Sequence, residues 1–157
     1  MNKHKLSTVL LMAFTLLTGC ATVYKPPKAT EPTSIIRVKD ERSGLATWIT
    51  LKVEAIDNKS AGLQLMPGKL RIYPGIHTLT VNTQFNRGFF SSGPFEAFTD
   101  INADFKAGET YIIEAAIEGS KVLVWISNGA GKKISPVIAN NYRSAPQQNT
   151  LFIPVGR

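Results

Sequence analysis

Few side chains in this 157-residue chain can do covalent or acid–base chemistry. It has one cysteine, Cys20, and two histidines, His4 and His77. A lone cysteine forms no disulfide within its own chain. His4 belongs to an N-terminal leader described below, so His77 is the only histidine of the remaining chain. A two-His metal site therefore cannot be built. Ser-His-Asp or Cys-His catalysis would need His77 as its base, and no nucleophile-elbow sequence accompanies it. His77 follows the Pro74-Gly75 turn and shares a strand face with Leu79 and Val81. That setting predicts a hydrogen-bonded structural group beside a turn rather than a base or ligand. Asp100-Ile101-Asn102-Ala103-Asp104 opens like a calcium loop, but Phe105 stands where the sharp-turn glycine belongs and Tyr111 where the bidentate Glu belongs. On a strand these three polar side chains lie ~6.6 Å apart along one face, which cannot wrap an ion. No catalytic residue, metal or cofactor is expected, and the chain is read as non-enzymatic.

The most suggestive loop is Asn86-Arg87-Gly88-Phe89-Phe90-Ser91-Ser92-Gly93-Pro94. Two aromatic residues sit among flexible, polar ones. Phe89 and Phe90 either fold back to cap the domain or stand out as a partner contact or membrane-dipping tip.

The elements that must carry these residues begin with an export signal. Lys3 and Lys5 give a positive start, and Leu6 to Leu17 is apolar except for Ser7, Thr8 and Thr15. That stretch falls short of the ~20 residues needed to span a bilayer and fits a removable signal. Directly after it, Leu17-Thr18-Gly19-Cys20 resembles the lipobox of bacterial lipoproteins. The resemblance implies cleavage between Gly19 and Cys20, with diacylglycerol joined to the Cys20 thiol and acylation of the new amino group. One acyl chain binds a membrane marginally, whereas two or more hold it stably. Ala21 stands where enterobacterial lipoproteins retained in the inner membrane usually carry Asp, so the resemblance implies the outer membrane, with the domain facing the periplasm.

Removing residues 1–19 leaves 138 residues, enough for one domain with a real core. It also removes two of the 18 basic residues and none of the 11 acidic ones, leaving a net charge of +5. The basic residues are scattered, and only Lys132-Lys133 are adjacent. That pattern argues against nucleic acid and for a mild attraction to anionic headgroups or cell-wall polymer. Residues 20–33 form the lipidated N-terminus and a tether. Pro26, Pro27 and Pro32 among Lys25, Lys28, Thr30 and Glu31 predict a semi-extended segment that does not pack.

From 34 to 157 the period is two nearly everywhere. Ile49, Leu51, Val53 and Ala55 alternate with polar residues, as do Leu70 and Ile72, and Leu79 and Val81. Phe95, Ala97, Thr99, Ile101, Ala103 and Phe105 share a face, as do Tyr111, Ile113, Ala115 and Ile117, and then Val122, Val124 and Ile126. This is the mark of half-buried antiparallel strands. Asp57-Asn58-Lys59-Ser60, Pro67-Gly68, Pro74-Gly75, Ala107-Gly108 and Gly119-Ser120 supply turns between them. The expected fold is all-β, a small antiparallel β-sandwich of about seven to nine strands. From Ile134 onward the pattern is less regular and ends in Leu151-Phe152-Ile153-Pro154-Val155, read as a final edge segment.

Tyr73-Pro74-Gly75-Ile76-His77-Thr78-Leu79-Thr80-Val81, followed by Ala107-Gly108-Glu109-Thr110-Tyr111, is similar to PEGA-type domains and to several families of small bacterial lipoproteins. The likeness covers roughly 49–126. It implies a small β-sandwich serving as a surface or interaction module, here with an envelope protein as partner. The alternative is a small-ligand or glycan binder using the open end of the sandwich.

Overall fold

A computed structural model describes residues 22–43, 46–62 and 69–146. The expected leader, Cys20 and Ala21, the expected Pro67-Gly68 turn and the expected Leu151–Val155 edge segment lie outside the described residues. Eleven strands are present among those described: β1 (Ser34–Val38), β2 (Glu41–Ser43), β3 (Thr47–Ile56), β4 (Lys59–Ser60), β5 (Leu70–Ile72), β6 (Gly75–Arg87), β7 (Phe95–Phe105), β8 (Thr110–Glu118), β9 (Lys121–Asn128), β10 (Ile138–Asn141) and β11 (Arg143–Ser144). One sheet has the order β10-β9-β8-β1-β5, and the other has β11-β7-β6-β3-β2 with β4 paired to β3. Every strand pair is antiparallel except β1 with β8. The expected all-β sandwich is the observed fold. The count exceeds seven to nine because β2, β4, β10 and β11 are only two to four residues long. Two to four residues hold no more than two cycles of a period-two pattern.

The alternation puts the core between the sheets. Along β7, Ala97, Thr99, Ile101, Ala103 and Phe105 are buried while Phe98, Asp100, Asn102 and Asp104 face solvent. Opposite them, Ile113, Val122, Val124 and Ile126 are fully buried. Each such aliphatic or aromatic side chain stabilises the fold by ~1.5–3 kcal/mol relative to an exposed one. On β3 the expected phase breaks. Val53 pairs with Val81, but Ala55 pairs with Thr80, so Glu54 is an extra residue in a bulge. The bulge turns Ala55 half outward and sends Ile56 into the core at 0 % exposure.

Two further departures concern the chain ends. The segment expected to stand free as a tether packs on the domain from its first described residue. Val23 bridges Ser60 in parallel, Tyr24 N–H donates to the Ser60 carbonyl at 2.8 Å, and Ser60 N–H donates to the Thr22 carbonyl at 2.9 Å. Tyr24 is 5 % exposed and joins the core cluster. The prolines are compatible with this, because a strand edge tolerates missing N–H donors, and Pro27 is itself buried alongside the Tyr24 ring. At the other end, β10 pairs on β9 and β11 on β7, so the chain crosses between the sheets. Tyr142, at the crossing, packs edge-on against Phe85 and Phe95 at centroid distances of 5.0 and 5.1 Å.

Candidate functional site

The long strand β6 has one sequence-predicted residue near each end. At its start, Gly75 takes φ +127°, a conformation that favours glycine, and the strand then presents His77 two residues on. Across from it, the β3–β4 hairpin turns through Asp57 and Asn58, both with positive φ, as a two-residue hairpin loop requires. The turn places Asp57 Oδ2 2.7 Å from His77 Nδ1, while His77 Nε2 lies 2.9 Å from the Tyr73 carbonyl. Asp57 Oδ1 accepts from Thr78 N–H at 3.0 Å. Burial works against the charged Asp57 carboxylate, but the hydrogen bonds from His77 and Thr78 outweigh it and hold its pKa below the ordinary carboxylate value. Both ring nitrogens of His77 are thus engaged by acceptors, and its side chain is only 14 % exposed. A ring held in this way joins the β3–β4 turn to the entry of β6, and neither nitrogen is open to a substrate.

Around this staple the docked N-terminal segment closes a cleft of about 440 Å³ lined by Tyr24, Lys25, Asp57, Lys59, Tyr73 and His77. The Tyr24 hydroxyl lies 3.4 Å from Tyr73 N, and the Tyr73 hydroxyl donates to Glu31 at 3.0 Å. Burial raises the pKa of Tyr24, so its hydroxyl stays protonated. Among the described residues no group of three His, Cys, Asp or Glu side chains could hold a metal ion. Asp100, Asn102 and Asp104 lie along the outer face of β7, where Thr80 and Thr78 hydroxyls bond the first two at 2.6 and 2.7 Å.

At the far end of β6 the Gly88–Pro94 loop leads into β7. Ser91 N–H donates to the Gly88 carbonyl at 3.1 Å, which closes a four-residue turn with Phe89 and Phe90 at its two central positions. The Ser91 hydroxyl is within hydrogen-bond reach of Asn86 Oδ1, which also accepts from Gly88 N–H at 3.3 Å. With the backbone satisfied internally, both rings point outward, Phe89 at 79 % and Phe90 at 106 % exposure. They do not cap the sandwich. That task falls to Phe85, Phe95 and Tyr142 beneath the loop, with the Arg87 guanidinium 5.0 Å above the Tyr142 ring. Gly93 fits closely over this base, since a Cβ there would come within 3.0 Å of the Phe95 ring. The loop is therefore mounted on a rigid aromatic platform while its own two aromatics touch solvent.

A separate polar cluster lies on the outer face of the other sheet. Glu114 accepts from the Ser127 hydroxyl at 2.6 Å, from Trp125 Nε1 at 3.2 Å and from Lys39 at 3.3 Å. These donors, Ser127 foremost, outweigh burial and lower its pKa.

The sequence pointed to His77 and to the Phe89-Phe90 pair without their surroundings. It missed Asp57 and Tyr73 as partners of His77, and Tyr142 and Arg87 as the base of the loop. The signal for Asp57 was its place in an Asp-Asn turn, but nothing in the sequence links that turn to a histidine 20 residues later. No family model, curated protein or solved structure matches this chain.

Proposed function

We propose that this chain is a lipid-anchored protein of the bacterial envelope, held by acyl chains at Cys20 in the outer membrane and facing the periplasm. It acts as a non-enzymatic interaction module for a membrane-associated protein assembly. The lipobox-like Leu17-Thr18-Gly19-Cys20 string supports the anchor. The observation that carries the interaction reading is the Phe89-Phe90 tip, two exposed rings on a self-closed turn. A rigid turn presents aromatic area at small entropic cost, and such rings are frequent anchors of protein interfaces.

The distance between this tip and the first described residues supports the same reading. From His77 to Arg87 is ten residues of strand, about 33 Å at ~3.3 Å each. The N-terminal segment docks beside His77, so the Phe pair is held toward the far end of the domain. This supports a protein partner over insertion into the anchoring membrane. The second reading, a glycan or small-ligand binder, draws on the open cleft between Tyr24, Tyr73 and Lys59.

The double substitution Phe89→Ala with Phe90→Ala tests the first reading. In cells, crosslinking of the protein to envelope proteins is expected to fall while the melting temperature of the purified protein stays nearly unchanged. Undiminished crosslinking, together with saturable binding of cell-wall sugars, would move the function to the cleft.

A further inference from the structure

The docked N-terminal segment fixes which face of the domain meets the bilayer. We infer that the end of the sandwich carrying the Asp57-Asn58 turn, Tyr73 and Ile76 seats directly on anionic lipid headgroups. This rests on the lipid attachment at Cys20 proposed above.

The direction of the chain decides it. Strand β4 runs away from the Asp57-Asn58 turn, and Val23 pairs with it in parallel, so the chain traced back toward Thr22 heads to that turn. Thr22 is two residues from Cys20, a reach of about 7 Å at full extension. An acylated Cys20 therefore holds this end within about a nanometre of the headgroups, with no free tether to lift it away. A free Pro-rich segment would instead have let the domain stand several nanometres off and turn at random.

The side chains at this end suit that position. Ile76 is on the outer face of β6 and 80 % exposed, Val23 is 53 % exposed, and Tyr73 is 42 % exposed. Single exposed apolar residues are common on any surface, but these three sit at the end where the anchor enters. Tyr73 combines an apolar ring with a hydroxyl, the type of side chain favoured at headgroup level. Charge agrees. Lys25 and Lys59 flank the cleft beside Tyr73. A second cleft at the same end, between the β7–β8 and β9–β10 connections, adds Lys106, Lys132 and Lys133. All five lysines are exposed. The acids nearby are Glu31, which accepts from the Tyr73 hydroxyl at 3.0 Å, Asp57, which is bonded to His77, Glu109, which accepts from the Tyr111 hydroxyl at 2.9 Å, and Asp104, so the five lysines outnumber the four acids. Lysines held this near an anionic surface lie within a Debye length of it and are attracted.

The test uses full-length, lipidated protein purified from membranes and placed in vesicles of phosphatidylethanolamine and phosphatidylglycerol. Acylation consumes the thiol of Cys20, the chain's single cysteine, so Ile76→Cys and Phe90→Cys each offer one site for an environment-sensitive fluorophore. A nitroxide on the lipid headgroup is expected to quench most of the emission at position 76 and little at position 90. In vesicles of neutral phosphatidylcholine, quenching at 76 is expected to weaken. Stronger quenching at 90 than at 76, equal quenching at both, or none at either would overturn the seating while leaving the lipid anchor standing. The anchor has its own readout: Cys20→Ser should abolish labelling by a fatty-acid analogue in cells. Equal labelling of wild type and variant would remove the premise, and the seating with it.

Discussion

The two ends of strand β6 are built on opposite terms. At the entry, side chains are committed to one another: Asp57 to His77 and Thr78, His77 to the Tyr73 carbonyl, Tyr73 to Glu31, and Tyr24 to the core. At the exit, Asn86 and Ser91 close the turn and leave Phe89 and Phe90 committed to nothing within the domain. Polar groups spent on each other stabilise a fold, whereas apolar groups left in water are retained at no structural benefit. The contrast separates a fixed end, where the chain enters the domain, from a presenting end.

Substitutions should divide along the same line, and the entry end should show the largest effects. Tyr24→Ala removes a ring that is 95 % buried and is expected to cost ~3–5 kcal/mol by denaturant melting, the range for large-to-small changes in a core. A cost below ~1 kcal/mol would mean that the segment docks only loosely and that the two ends differ less than described. His77→Ala should come next. It removes the ring that faces both the Asp57 carboxylate and the Tyr73 carbonyl and is expected to cost ~1–3 kcal/mol, without altering crosslinking through the Phe89-Phe90 loop. A drop in crosslinking at unchanged stability would give His77 a role at a site of its own.

Acid should act on the same network more gradually. The carboxyls of Asp57 and Glu114 titrate below their ordinary values of 3.8 and 4.5 in the folded protein. For such groups the unfolded chain binds protons first as pH falls, so their contribution is complete above about pH 5 and is lost progressively below the ordinary values. Asp57 is 41 % exposed, so solvent screening keeps its share modest. Stability measured from pH 6 down to pH 3 is expected to decline, and less steeply in Asp57→Asn than in the wild type. Parallel curves would mean that the His77–Asp57 pair contributes nothing net. The smallest change in stability belongs to Phe89→Ala with Phe90→Ala, within ~0.5 kcal/mol, as for surface substitutions generally. A fall of several kcal/mol would place both rings in the core and erase the contrast.

Much of the fold could be read along the chain because strand alternation is local. From Ala97 to Phe105 and from Tyr111 to Ala115 each inward residue was identifiable from its neighbours two positions away, and burial follows that order; Glu96 breaks it, buried on the polar face where Arg143 pairs with it. The same logic failed at Glu54, where one bulged residue transferred the core position from Ala55 to Ile56. A bulge depends on the partner strand, and the pattern of β3 alone carries no trace of it. Composition misled at the tether for a related reason. Prolines and lysines describe an average tendency to stay solvated, while burial of Tyr24 and Pro27 reverses it.

The sequence by itself determined the all-β character, the turns at Asp57-Asn58, Ala107-Gly108 and Gly119-Ser120, and most of the residues facing inward on the long strands. It also supplied the anchor hypothesis, which rests on a linear string. Tertiary structure alone decided that His77 is held by Asp57 and Tyr73, that the N-terminal segment packs against β4, and that Phe89 and Phe90 face water above Phe85, Phe95 and Tyr142. The physical reason is separation along the chain. Period and turn chemistry act over two to four residues, but a side chain's partner is set by which distant strands come together. Tyr142 reaches Phe85 across 57 positions, and no local pattern in either segment records the meeting.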